Sequence, residues 1–331
     1  MPLLWLLCLA SVVISEVAAL SLMPLGDSIT LGCGDAATLD NATLGCGASC
    51  PQCGSNFNCS TMPLGPDRKN ASDHHNNTCP AWNYGRTCHG GYRTRLYALL
   101  EAAGYAARMT GPIQTGPLSL SDAAVSHAGF PGATIVEIGG SWDGDDLFGL
   151  WTSPQYQPDL IISHCGVNDM WGAFWDPSVT DAAAIIASYL DMLNRTTLIW
   201  PTTGVLVSTI TEMPTQILMA LQLGGNPAAA HVYADFQARL PGMVAALQAL
   251  GRRVFFADVA GATQLCPVPP PDPEYPYGGI SGLCCVNDDV HPTAAGYDRF
   301  AAAWFDAISK LVGPPPGAVP PLPHRVEAPV V

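Results

Sequence analysis

Charge is what this sequence has least of. Only 12% of its 331 residues are charged, about half the roughly 25% of an average globular protein. Basic residues are the scarcer kind, 13 against 27 acidic, and just two of them, Lys69 and Lys310, are lysines. A net charge of −14 leaves no basic face to meet phosphates, which excludes a nucleic-acid partner and disfavours an anionic membrane surface. Membrane-spanning length is lacking as well. Glu16 cuts the N-terminal apolar run short of the ~18–20 residues that cross a bilayer. The polarity of a disordered chain is also missing, because 48% of the residues are hydrophobic.

Three segments stand apart from any core. Residues 1–19 are short, apolar and end in Val17-Ala18-Ala19, the pattern of a secretory signal with small residues at its cleavage site. Residues 313–331 are rich in proline and are expected to be extended or disordered. Residues 33–89 are rich in Cys, Asn and Gly and carry neither helical nor strand periodicity. What is left between 20 and 312 is the size of one domain rather than the two suggested by total length.

Of the 12 cysteines, seven fall in the 33–89 insertion and three (Cys266, Cys284 and Cys285) lie near the C-terminus. Cys165 follows an apolar run and is expected to be a buried free thiol. Zinc competes with disulfides for the rest, since Cys50-x-x-Cys53 has His74, His75, Cys79, Cys88 and His89 nearby. The compartment favours disulfides. Asn41, Asn58, Asn70 and Asn76 each begin a glycosylation tripeptide within the insertion, and Asn194 begins a fifth. Behind a secretory signal, such cysteines oxidise in pairs. Seven is odd, so at least one bridge from the insertion to the 266–285 region is expected, with the pairing left open.

Elsewhere apolar runs alternate with helical patterns. Strands are expected at Leu20–Leu25, Ala107–Thr110, Asp159–Cys165, Gly204–Thr209 and Arg253–Ala257. Helices are expected at Tyr92–Ala103, Asp181–Asn194, His231–Leu250 (with Pro241 as a possible break) and Pro292–Leu311. Such alternation implies a parallel sheet covered on both faces, with chemistry at the carboxyl ends of its strands.

Candidate reactive groups fall at those ends. Ser28 follows the first strand, Gly166-Val167-Asn168-Asp169 follows the 159–165 strand, and Asp288-Asp289-Val290-His291 precedes the last helix. Gly132 closes Gly129-Phe130-Pro131-Gly132. Acyl transfer needs a nucleophile, a base, a group to orient the base and donors for the oxyanion, and every type is present. Thr30 stands where the nucleophile elbow of α/β-hydrolases has its second glycine, so that fold is not indicated. His127 and His164 are expected to pack or hydrogen-bond rather than act as bases, and Asp27 and Asp169 to hold loops.

These blocks resemble the SGNH (GDSL-type) hydrolase superfamily: Met23–Thr30, Gly132, Gly166–Asp169 and Asp288–Tyr297. Gly91–Tyr97 and His127–Gly132 add a likeness to the acetylxylan esterases of carbohydrate esterase family three. The resemblance implies a three-layer α/β/α sandwich of flavodoxin-like type, with a five-stranded parallel sheet and the disulfide-rich insertion added. It implies Ser28 as nucleophile, His291 as base and Asp288 as its orienter, in preference to Asp289, because the family spacing is Asp-x-x-His. The oxyanion hole would be the backbone N–H of Ser28 and of Gly132 with the side-chain amide of Asn168. No cofactor and no metal are implied.

The expectation is therefore a secreted, monomeric serine esterase with no membrane attachment after signal removal. Its partner would be an acetylated polysaccharide, with xylan first, or a small ester. A lipid-directed esterase such as a lysophospholipase is the alternative enzyme. A non-catalytic cell-surface carbohydrate-binding protein is the alternative of another class. Aromatic residues cluster between 142 and 175 in segments expected to be loops, and Trp171 and Trp175, just after Asn168, are candidates to stack on sugar rings.

Overall fold

A computed structural model describes residues 19–31, 90–115, 121–142, 144–211, 213, 217, 220–259, 261, 292 and 294–315. Most of the expected signal, the insertion, most of the tail and the ten cysteines expected in disulfides lie outside the described residues. No helix among the described residues is long and apolar enough to cross a membrane.

The central strand, β1 (Leu20–Gly26), is buried along nearly its whole length. An apolar run without alternation suits it, since both faces are covered. The next strands are β2 (Ala107–Met109), β3 (Ile113–Gln114) and β4 (Ser126–Gly129), then β5 (Ser141–Trp142) and β6 (Asp145–Asp146), which form a separate antiparallel pair. The sheet is completed by β7 (Leu160–His164), β8 (Gly204–Ser208) and β9 (Val254–Ala257). Its order is β3-β4-β1-β7-β8-β9, and β2 also pairs with β1.

Among the described residues the five strands expected are thus seven. One edge of β1 is shared by two short strands. β2 pairs in parallel with its start (Leu20 with Ala107), and β4 with its end (Gly26 with Gly129). β3 then adds to β4 in the antiparallel sense. Neither β3 nor β4 shows as an apolar run, because β3 is only Ile-Gln and β4 reads Ser-His-Ala-Gly.

The α-helices given in full among the described residues are α1 (Ser28–Leu31), α2 (Gly91–Ala102), α3 (Ile135–Ile138), α4 (Leu147–Trp151), α5 (Val167–Trp175), α6 (Ala183–Ile199), α7 (Ala229–Ala249) and α8 (Ala294–Val312). α2 packs on α8, while α6 packs on α3 and α7, and α5 on α7. β9 touches both α7 and α8, which puts the sheet between the two groups. α7 runs through Pro241 without a break. Its buried side chains Val232, Phe236, Leu240, Met243, Val244 and Leu247 offset the cost of one lost backbone hydrogen bond. The Asn194-Arg-Thr tripeptide lies inside α6, where Asn194 accepts from Arg252 at 3.2 Å and the Thr196 hydroxyl donates to Met192 O at 2.8 Å.

The chain builds outward from β1 to one side through β4 and to the other through β7. In open α/β sheets a crevice opens at the carboxyl ends where this reversal occurs. Gly26 ends β1 there. A Cβ at this position would lie 2.2 Å from His164 O and 2.4 Å from Thr30 Oγ1, so no side chain fits. Gly26→Ala is expected to destabilise the protein by about 2–3 kcal/mol in urea titration. A variant as stable as the parent would show that this contact relaxes freely.

Candidate active site

Ser28 is the first residue of α1 and is almost completely buried. Asp27 caps the turn: its Oδ1 accepts from Ile29 N at 3.0 Å, and its carbonyl accepts from Leu31 N at 3.1 Å. A carboxylate at this point satisfies a backbone donor that a helix start leaves without a partner. Asp27 thus holds the loop, as expected.

The segment after β4 is tied to two neighbours. Phe130 N donates to Gly26 O at 2.8 Å, which joins it to the end of β1. Asn168 Nδ2 donates to Ala133 O at 3.0 Å, and Ile135 N donates to Asp169 Oδ2 at 2.9 Å. Both residues come from the first turn of α5. Ser28, Gly132 and Asn168, far apart in sequence, therefore sit on three segments joined by hydrogen bonds. An amide NH2 carries two N–H groups. The bond to Ala133 O uses one of them and orients the other.

Gly132 has φ +84°. A Cβ there would meet no close contact among the described residues. The nearest atoms, of the Trp142 ring, would be at 3.7 Å, an ordinary contact. The requirement for glycine at this position is conformational.

Trp171 and Trp175 stand on α5, one helical turn apart, rather than in a loop. Their rings are edge-on to one another with centroids 6.0 Å apart, and they keep 39% and 38% of their surface exposed. Phe174 and Trp151, from the same set of aromatics, are core residues. Trp151 Nε1 donates to Ile138 O at 2.9 Å. Asp288 and His291 lie outside the described residues.

Cys165 is buried and free, and burial pushes its thiol up. His127 accepts from Gly129 N at its Nδ1 (3.0 Å) and meets Thr115 Oγ1 at its Nε2 (2.7 Å). Burial, and then the charge of Arg93, hold it well below the usual histidine range. His164, at the end of β7, packs edge-on against Phe300 at 5.3 Å, and neither ring nitrogen has a hydrogen-bond partner among the described residues. Burial brings it down to about 4. Burial also pushes the Asp169 carboxyl up to about 6, against its backbone hydrogen bonds.

A sequence model of the GDSL-like lipase/acylhydrolase family matches residues 25–299. The chain belongs to that family. Its match spans both the Ser28 turn and the region of His291, in agreement with the resemblance carried by the sequence blocks. This GDSL-family chain is 25% identical over 240 residues to a multidomain esterase of Ruminococcus flavefaciens. The aligned part is 68% of this chain and 27% of that protein, so the chain spans about a quarter of that relative. Among solved structures, a family 3 carbohydrate esterase of Clostridium thermocellum superposes with a TM-score of 0.51 at 19% identity, over 89% of this chain and 100% of that one. An acetyl esterase mutant with acetate ion superposes at 0.50 with 17% identity, over 88% and 98%. At such identities the likeness speaks for the fold.

The buried histidine of this family member sets a pH response. The unfolded chain takes up the His164 proton near 6.5, and the folded chain near 4. Stability is therefore withdrawn as pH falls through this window, by about 2 kcal/mol at pH 5. Asp169 acts in the opposite sense, because its raised folded value lets the native state bind the proton first. Comparison with His164→Phe isolates the histidine. Urea titrations at pH 7 and pH 5 should show the variant gaining about 2 kcal/mol on the parent at the lower pH. A gap independent of pH would refute the assignment.

Proposed function

We propose that this chain is a secreted, metal-independent serine esterase that removes acetyl groups from polysaccharide, with xylan as the first candidate. Ser28 Oγ attacks the ester carbonyl while His291, oriented by Asp288, takes its proton. The oxyanion is met by the N–H of Ser28, the N–H of Gly132 and the free arm of the Asn168 amide. His291 returns the proton to the departing sugar oxygen, leaving acetyl-Ser28. Water then attacks, His291 accepts its proton, and acetate leaves as Ser28 is regenerated.

One observation carries this reading. The 130–135 segment is hydrogen-bonded both to Gly26 O beside the Ser28 turn and to Asn168. Donors fixed before the reaction need no rearrangement when charge develops, which is the main source of such stabilisation. Family membership supports the ester-hydrolysing chemistry, and the names of the relatives support acetylated carbohydrate. The exposed Trp171–Trp175 pair offers flat apolar surface for sugar rings. The insertion's glycosylation tripeptides support an extracellular place.

The reading is tested with purified protein on acetylated xylan, 4-nitrophenyl acetate and long-chain esters. Acetate release from xylan, abolished by Ser28→Ala in a folded protein, is expected. Preference for long acyl chains would transfer the proposal to the lipid-directed esterase. Xylan that binds without turnover would transfer it to the carbohydrate-binding protein. Trp171→Ala and Trp175→Ala should each raise KM for xylan about tenfold, in line with the loss of about one stacking contact, and leave 4-nitrophenyl acetate unaffected. Equal effects on both substrates would remove the tryptophans from the sugar site.

A further inference from the structure

Arg93, in the first turn of α2, is completely buried. Its Nε donates to Thr30 O at 3.1 Å and its Nη2 to Leu31 O at 3.1 Å. Its Nη1 donates to Thr115 O at 3.0 Å and Val125 O at 3.1 Å, and its Nη2 also to Thr115 Oγ1 at 3.1 Å. Among the described residues it thus meets four carbonyls and one hydroxyl. Two of the acceptors are carbonyls at the C-terminal end of α1, the helix that begins with Ser28.

The chain of contacts continues. Gly129 N donates to His127 Nδ1, so that nitrogen carries a lone pair and the proton of the neutral ring is on Nε2. Nε2–H therefore donates to Thr115 Oγ1 at 2.7 Å, the same hydroxyl that Arg93 meets. Phe130 N, the next donor along, returns to Gly26 O. The path closes on itself: from the end of β1 through α1, Arg93, Thr115, His127 and Gly129–Phe130, back to β1.

We propose that Arg93, Thr115 and His127 form a polar brace that sets the spacing between the Ser28 turn and the Gly132 segment. Arg93 is a positioning residue for ester hydrolysis and does not touch the substrate. It clamps the far end of α1, while His127 clamps the strand that leads to Gly132. Two of the three expected oxyanion donors, the N–H of Ser28 and of Gly132, lie on the two segments so joined. A closed ring of hydrogen bonds resists a change in their separation more than apolar contacts would, since each bond is directional. A lysine, with three donors on a single nitrogen, cannot reproduce a fork that reaches four carbonyls.

This inference rests on the proposed reading of Ser28, so Ser28→Ala is assayed beside the brace variants on 4-nitrophenyl acetate. Arg93→Lys should lower kcat by about ten- to a hundredfold, the scale of a small misplacement in an active site, with KM nearly unchanged. It should slow covalent labelling of Ser28 by a fluorophosphonate in proportion. Thr115→Val should move both quantities in the same direction, while Thr115→Ser, which keeps the hydroxyl, should remain near the parent. Should Arg93→Lys not fold, the two Thr115 variants decide the matter alone. A folded Arg93→Lys or Thr115→Val with the parental kcat, or a loss confined to KM, would overturn the brace while a dead Ser28→Ala keeps the esterase reading. Activity retained in Ser28→Ala would overturn both.

Discussion

The end of β1 has room for a backbone and nothing more. Gly26 lies against the His164 carbonyl and the Thr30 hydroxyl, and that closeness has consequences in both directions. Toward the sheet, β1 and β7 stay paired to their last residues, Gly26 opposite His164. Toward the site, the chain turns at Asp27 directly into α1, with Ser28 at its head. Gly26 O is still available to hold Phe130. One missing side chain therefore lets three segments meet at the place where the sheet reverses its winding, the usual location of a ligand crevice in such folds.

The crevice walls are held by side chains that bind backbone. Asp27 accepts from Ile29, Asn168 donates to Ala133, Asp169 accepts from Ile135, and His127 accepts from Gly129. Apolar packing fills space but fixes direction poorly, whereas an unmet polar group in a buried place costs about 1–3 kcal/mol. Each of these loops thus has a single satisfied arrangement and several costly ones. That is the condition for donors to be in place before charge develops.

What could be read from the sequence follows from how each element is buried. β7 and β8 are covered on both faces and appear as Leu160-Ile161-Ile162 and Val205-Leu206-Val207. β4 is equally enclosed, but its burial is made good by hydrogen bonds to His127 and Gly129 rather than by apolar bulk, so no hydrophobic signal marks it. α5 falls where loops are expected, because Gly166-Val-Asn-Asp has turn chemistry; the helix starts on that glycine. Ser28, Gly132 and Asn168 are marked by their blocks, whereas Trp171 and Trp175 are marked only by following Asn168, and their contact one helical turn apart is a property of a helix where a loop is expected. Arg93 lies within the Gly91–Tyr97 block, and the block gives it no task. Its signal was present: Arg93, Leu96, Tyr97 and Leu100 share the buried face of α2, and an arginine on such a face requires acceptors around it.

The scarcity of charge takes on a different meaning in this light. Among the described residues, Arg195–Asp191, Arg239–Asp235 and Lys310–Asp306 are one-turn ion pairs on helix surfaces, a kind that contributes at most about 1 kcal/mol each. The charged groups that shape the site are treated differently. Among the described residues, Arg93 is met by carbonyl oxygens and a hydroxyl, and Asp169 by a backbone N–H. Backbone dipoles have fixed positions once the fold forms, while the partner in a side-chain ion pair keeps its own rotamers and loses entropy when held. A chain with few charges can therefore spend them where direction matters, because the backbone already supplies the counter-dipoles.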